Sequence, residues 1–196
     1  MMTAIPSIAC LAVIGKNNNP LHISQFPTKS RETPFLTALQ TSLMLSATLD
    51  IFEARATANQ STGVDLVGDF GLLHAMDERL AAYGFETNTG VRFVALVDLR
   101  GRFISTDTLT TAAAAATSLG SIGLRDGELK VVFKAMQNAY IRLLQNPFYE
   151  PDEYLVVEGN KGGRRITSPL FVEEMRKIGE SWVPDGMRSI KEKIIK

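Results

Sequence analysis

Few side chains in this sequence could do chemistry, and their spacing completes no reaction. His22 and His74 are its only histidines, and neither has a Cys or Glu placed to help close a zinc tetrahedron. Cys10 is the single cysteine; inside SIACLAVI a thiol behaves as a small core hydrophobe rather than a nucleophile or lipid anchor. Asp69-Phe70-Gly71 has the letters of a kinase magnesium motif, but neither a His-Arg-Asp loop nor a glycine-rich phosphate loop accompanies it, so it reads as strand. Gly159-Asn160-Lys161-Gly162-Gly163-Arg164-Arg165 could cradle phosphate with amides and guanidiniums. It lacks the Lys-Ser/Thr pair that enters a helix in a P-loop, so the expectation is an exposed flexible loop. No Ser-His-Asp set is legible, and Asn59-Gln60-Ser61 is a glycosylation sequon with no secretory route to use it. The expectation is a chain with no catalytic residue, no metal and no cofactor.

Composition bounds what remains. At 196 residues, 45% of them apolar, the chain suits one globular domain. We place that domain at 1–183, with inserts at about 56–66, 99–123 and 152–166 and a basic tail at 184–196. A formal charge of zero excludes a broad electrostatic hold on nucleic acid or acidic membrane. A single cysteine forms no internal disulfide, which fits a reducing compartment. The opening MMTAIPSIACLAVIG lacks a basic leader and is too short to span a bilayer. Its β-branched alternation at Ile8, Val13 and Ile14 predicts a buried strand.

The remaining elements follow from turn and capping chemistry. GKNNNP and the alternating LHISQF make a hairpin partner for the first strand. Thr33-Pro34 reads as a helix start, with the helix running to about Arg55 and the polar TANQSTG beyond it. Strands are expected at 69–73, 79–87 and 91–98, the last two joined by Asn88-Thr89-Gly90. Residues 99–123 read as a mobile insert. Asp126 is expected to cap a second helix with Leu129, Val132, Phe133, Met136, Tyr140, Leu143 and Leu144 along one face. That helix ends in a stiff corner, Asn146, Pro147, Phe148, Tyr149 and Pro151, whose two rings are expected to pack back as a brace. Ser168-Pro169 opens a third helix carrying Leu170, Phe171, Met175 and Ile178. The order β-β-α-β-β-β-α-α implies a mostly antiparallel sheet with helices on its faces.

The first helix has two apolar stripes on a helical wheel. Leu36, Leu39, Leu43, Ala47 and Ile51 form one, with Asp50 on the Leu39/Leu43 side; Leu45, Leu49 and Phe52 form the other. A helix lying on a sheet needs only one, so the second must be covered by the chain's own inserts or by another subunit.

Four blocks, ACLAVIGKNNNPL, GLLHAMDERLAAYGFETNTGVRFVALVD, LRDGELKVVFKAMQNAYIRLLQNPFYEP and ITSPLFVEEM, resemble successive parts of the sedlin family. The resemblance implies an α+β longin (SNARE-like) domain: a five-stranded antiparallel sheet with one helix on one face and two on the other. It implies a non-catalytic adaptor that docks onto other subunits of TRAPP, the transport protein particle that tethers vesicles and activates Rab-type GTPases. Such a protein would be cytoplasmic and peripheral to Golgi and ER-Golgi membranes, with the Rab an indirect partner. The family's Leu-Asp pair on the first helix falls on Leu49 and Asp50, so Leu45, Leu49, Asp50 and Phe52 are the expected partner interface. A small longin chain of a vesicle coat is the alternative. A longin SNARE is excluded because no long heptad helix follows Ile178.

Overall fold

The computed structural model describes residues 2–27, 36–62, 68–105, 124, 127–149, 154–157, 160–163 and 165–184. Its centre is a pair of long strands, β1 (Met2–Ile14) and β5 (Arg92–Ser105). Around them β2 (Pro20–Gln25), β3 (Asp69–Ala75) and β4 (Leu80–Glu86) complete a five-stranded sheet in the order β2-β1-β5-β4-β3, with every neighbour antiparallel. Alternation sorts the central side chains into two cores. Leu11, Val13, Phe93, Ala95 and Val97 face one layer, while Cys10, Ala12, Ile14, Val94 and Leu96 face the other. A strand pair buried on both faces reads as a continuous apolar run, as ACLAVI and FVALV do.

One layer is α1 (Ala38–Thr62), which lies over the Cys10 face. The opposite layer is α2 (Lys130–Leu144) and α3 (Pro169–Ser181), whose Val132, Phe133, Met136, Ala139, Tyr140, Leu143, Phe171 and Met175 cover the Leu11 face. This is the expected α+β arrangement of one helix against two. Gly179 lets α3 approach closely, because a Cβ there would stand 2.1 Å from the Phe26 ring.

The largest differences from the expected boundaries each have a local cause. The first helix starts at Ala38; Thr33 and Pro34 lie outside the described residues. Thr37 and Gln40 form a reciprocal capping box: the Gln40 N–H donates to Thr37 Oγ1 (3.3 Å) and the Thr37 N–H to Gln40 Oε1 (3.0 Å). The helix continues to Thr62, so residues 56–62 are not loop. β5 runs on through Leu99 to Ser105, because β1 begins at Met2 and supplies partners as far as Met2↔Ser105. Pro6, which has no N–H to give, sits at the register shift between Ile5 and Ser7. Only 106–123 of that insert lies outside the described residues. Within 152–166, Tyr154–Val157 (β6) and Asn160–Gly163 (β7) pair as a separate two-stranded sheet, so the NKGG run is strand rather than loop, while Gly159 and Arg164 lie outside the described residues. Finally α2 begins behind Leu129 with no side-chain cap, and the expected cap Asp126 lies outside the described residues, as does the tail from 185.

Asp98 is a buried charge, 1% exposed, held by two parallel bonds from Arg79 (Nε–Oδ1 2.7 Å, Nη2–Oδ2 2.6 Å) and one from the Arg100 N–H at 3.0 Å. Bidentate pairing of this kind satisfies the carboxylate without water. Truncation would strand the donors. Asp98→Ala is expected to lower unfolding free energy by about 2–4 kcal/mol in urea titration.

Cys10 is fully buried in the α1 core, and burial pushes its thiol up to about 12. Its neutral form therefore favours the fold below the unfolded thiol value of about 8.5, and that contribution is lost as pH climbs through the folded value. Iodoacetamide at mildly alkaline pH should leave the native chain unlabelled and label it once denatured, as read by intact mass.

Candidate protein interaction surface

The rotation of α1 about its own axis decides which of its two stripes meets solvent. The buried line is Thr41, Leu45, Thr48 and Phe52, at steps of four, three and four residues, one face of a helix. Both threonine hydroxyls are satisfied. Thr41 Oγ1 donates to the Thr37 carbonyl (3.1 Å) and accepts from Gln25 Nε2 (2.6 Å); Thr48 Oγ1 donates to the Leu45 carbonyl (2.7 Å). Burying them leaves no orphaned polar atom. The sequence reading placed Leu45 and Phe52 on a partner interface, and the structure corrects this: they are core, 5% and 0% exposed. An apolar-only wheel counts threonine as polar and so misses half of the sheet-facing line. Leu49 is half-buried, packed against the same core.

Phe52 sets the seat. Its ring lies where a Cβ on Gly84 would come within 2.4 Å, edge-on to Phe70 with centroids 4.9 Å apart and with the Arg92 guanidinium 5.4 Å from its own centroid. Polar ties lock the same orientation. Arg55 donates from Nη1 to the Phe70 carbonyl (2.8 Å) and from Nη2 to those of Leu72 (2.7 Å) and Leu73 (3.3 Å), binding α1 to edge strand β3. At the other side, Asn18 Nδ2 donates to Glu53 Oε1 (3.0 Å) and Asn18 Oδ1 accepts from Arg92 Nη1 (2.6 Å), while Arg92 Nε reaches Glu86 Oε1 at 3.2 Å. Asn18 adopts φ 61°, a turn conformation that asparagine tolerates.

The face left outward carries Leu39 and Leu43, 70% and 63% exposed, with exposed Ser46, Ala47 and Asp50 on the same side. No charged residue occurs from Ala38 to Leu49. The outer face is therefore an uncharged, leucine-bearing strip closed at its C-terminal end by an exposed carboxylate. Asp50 lies where the wheel put it, beside Leu39 and Leu43.

The corner after α2 departs from expectation at one ring. Asn146 organises it, accepting the Phe148 N–H on Oδ1 (3.1 Å) and the Tyr149 N–H on its carbonyl (3.0 Å). Tyr149 is half-buried against the α2–α3 core and braces the corner as anticipated. Phe148 does not; it is 94% exposed, because the turn that tucks position 149 inward aims position 148 away. Asn146 and Pro147 are exposed, and Pro151 lies outside the described residues. Leu144 and Leu170, expected on core faces, are exposed as well.

Burial holds the His22 imidazole below its usual range, with Nε2 2.6 Å from Ser24 Oγ and its ring edge-on to Phe171. Among the described residues no three His, Cys, Asp or Glu side chains are grouped to hold a metal, and no helix is long and apolar enough to cross a membrane. A groove of about 290 Å³ runs between α2 and α3, lined by Ala135, Asn138, Ala139, Arg142, Glu174, Lys177 and Ile178; Arg142 and Glu174 pair across it.

The sedlin family model matches residues 13–181 of this chain. A trafficking protein particle complex subunit 2-like protein of Dictyostelium discoideum is 28% identical over 161 residues, 82% of this chain and 94% of its own. Proteins of the same name from Mus musculus and Taeniopygia guttata are 31% and 32% identical over 145 residues, 74% of this chain and 84% of theirs.

The two leucine positions on α1 separate cleanly in stability. Leu45→Ala is expected to cost about 2–4 kcal/mol by chemical denaturation, whereas Leu43→Ala should stay within about 0.5 kcal/mol of the parent.

Proposed function

The chain belongs to the sedlin family, and from that premise we propose that it is a non-catalytic assembly subunit of a trafficking protein particle (TRAPP) complex. It docks onto neighbouring subunits through the outer face of α1 and contributes to vesicle tethering and Rab-type GTPase exchange only through the assembled particle. The observation that carries this reading is the outward leucine strip. Leu39 and Leu43 stand in water on a helix whose sheet-facing line is already filled by Leu45 and Phe52. Exposed apolar anchors beside a charge are what a partner surface supplies before it is covered. In this arrangement Leu39, Leu43 and Ala47 enter a partner's apolar groove and Asp50 accepts from a donor at its rim, with Leu49 behind it fixing the local backbone. The names of the relatives, each a trafficking protein particle complex subunit 2-like protein, support other TRAPP subunits as the partners. The protein would then act in the cytoplasm, peripheral to ER-Golgi and Golgi membranes.

The test is affinity purification from the native cell followed by mass spectrometry, with the parent chain, Leu43→Arg and Asp50→Lys. TRAPP subunits should co-purify with the parent and fall by more than about tenfold with Leu43→Arg, while circular dichroism of the purified variant matches the parent. Asp50→Lys should weaken the same set. A partner list of coat-adaptor subunits, or undiminished TRAPP recovery with both variants, would reject the assignment.

A further inference from the structure

The chain's only consecutive arginine pair stands immediately before α3, in Arg164-Arg165-Ile166-Thr167-Ser168-Pro169. From Arg165 to Ser168 the backbone is neither helix nor strand, and it is tied to edge strand β2 by the Ile166 N–H, which donates to the Leu21 carbonyl at 2.8 Å. Ile166 is buried, while Arg165 and Thr167 on either side of it are exposed. Out-in-out alternation of this kind turns residues i and i+2 to the same side. Arg165 and Thr167 therefore face solvent together, against a sheet edge that fixes the segment's direction.

We propose that Thr167 is a phosphoacceptor for a basophilic protein kinase, of the class that selects arginines two and three residues before the acceptor hydroxyl. Guanidinium forks pair bidentately with carboxylates, so acidic residues in a kinase cleft can grip the arginines while the hydroxyl two residues on reaches the nucleotide. In the transfer, Thr167 Oγ1 attacks the γ-phosphorus of Mg-ATP. The new Oγ1–P bond forms as the bond from that phosphorus to the β,γ-bridging oxygen breaks; ADP leaves and the hydroxyl proton passes to the kinase's catalytic carboxylate. The product has a place to settle. Ser168, at the N-cap of α3, makes no side-chain capping bond, so a phosphate one residue earlier meets the positive end of that helix with Arg165 beside it. The modification would strengthen the start of α3 and turn a basic spot on the two-helix layer acidic. It lies across the sheet from α1, so it stands or falls independently of the docking face proposed above.

The experiment treats the full folded chain with the catalytic subunit of cAMP-dependent protein kinase and Mg-ATP, and maps incorporated phosphate by tandem mass spectrometry. Phosphate on Thr167, absent in Thr167→Val and slowed about tenfold or more in Arg165→Ala, is the expected result, together with slower amide exchange in the first turn of α3 once Thr167 is modified. No incorporation, incorporation only after heat unfolding, phosphate mapped to Ser168 instead, or a rate indifferent to Arg165→Ala would overturn it.

Discussion

The seating of Phe52 is the constraint on which the outer surface depends. Gly84 leaves the space for its ring, Phe70 meets it edge-on, and Arg92 lies over it. Full burial of such a ring contributes about 1.5–3 kcal/mol from apolar area alone, and turning the helix would forfeit it together with the burial of Leu45. With that ring in place, α1 has one rotational setting. Thr41, Leu45 and Thr48 follow it onto the sheet, and Leu39, Leu43 and Asp50 are left outward. The character of the surface is thus a consequence of how the core closes.

Polar groups reinforce the same setting. Arg55 spends its guanidinium on carbonyls of β3, which both holds α1 down and occupies acceptors at a sheet edge that would otherwise invite pairing. Asn18 joins Glu53 on the helix to Arg92 on the sheet. The other edge, β2, receives the Ile166 N–H. Both edge strands thus have backbone groups bonded within the chain, β3 by a helix side chain and β2 by the segment that leads into α3.

The helical layer on the other side obeys the same logic with a different outcome. Its helices are plainly one-sided, and their buried residues are nearly those that a 3.6-residue period selects. Leu144 and Leu170 are exceptions, each exposed next to a buried neighbour, Leu143 or Phe171, that takes the core-facing position. Phe148 is exposed because the Asn146 turn settles the ring that follows it, Tyr149, and turns position 148 outward.

By itself the sequence determined the order of the main elements, the burial of the first strand, the packing of Tyr149 though not of Phe148, and the place of Asp50 on the Leu39/Leu43 side of the first helix. These follow from local alternation, period and capping, which neighbouring residues dictate without reference to distant chain. It did not determine which stripe of α1 is core, since two threonines that satisfy their own hydroxyls pass as polar on a wheel and as filling on a sheet. Nor did it show β5 continuing past Asp98 or the pairing of β6 with β7, because a strand's length is set by the partner that hydrogen-bonds it. Those choices belong to the tertiary structure, where Phe52 meets Gly84 and Arg92 of strands well beyond it in the chain.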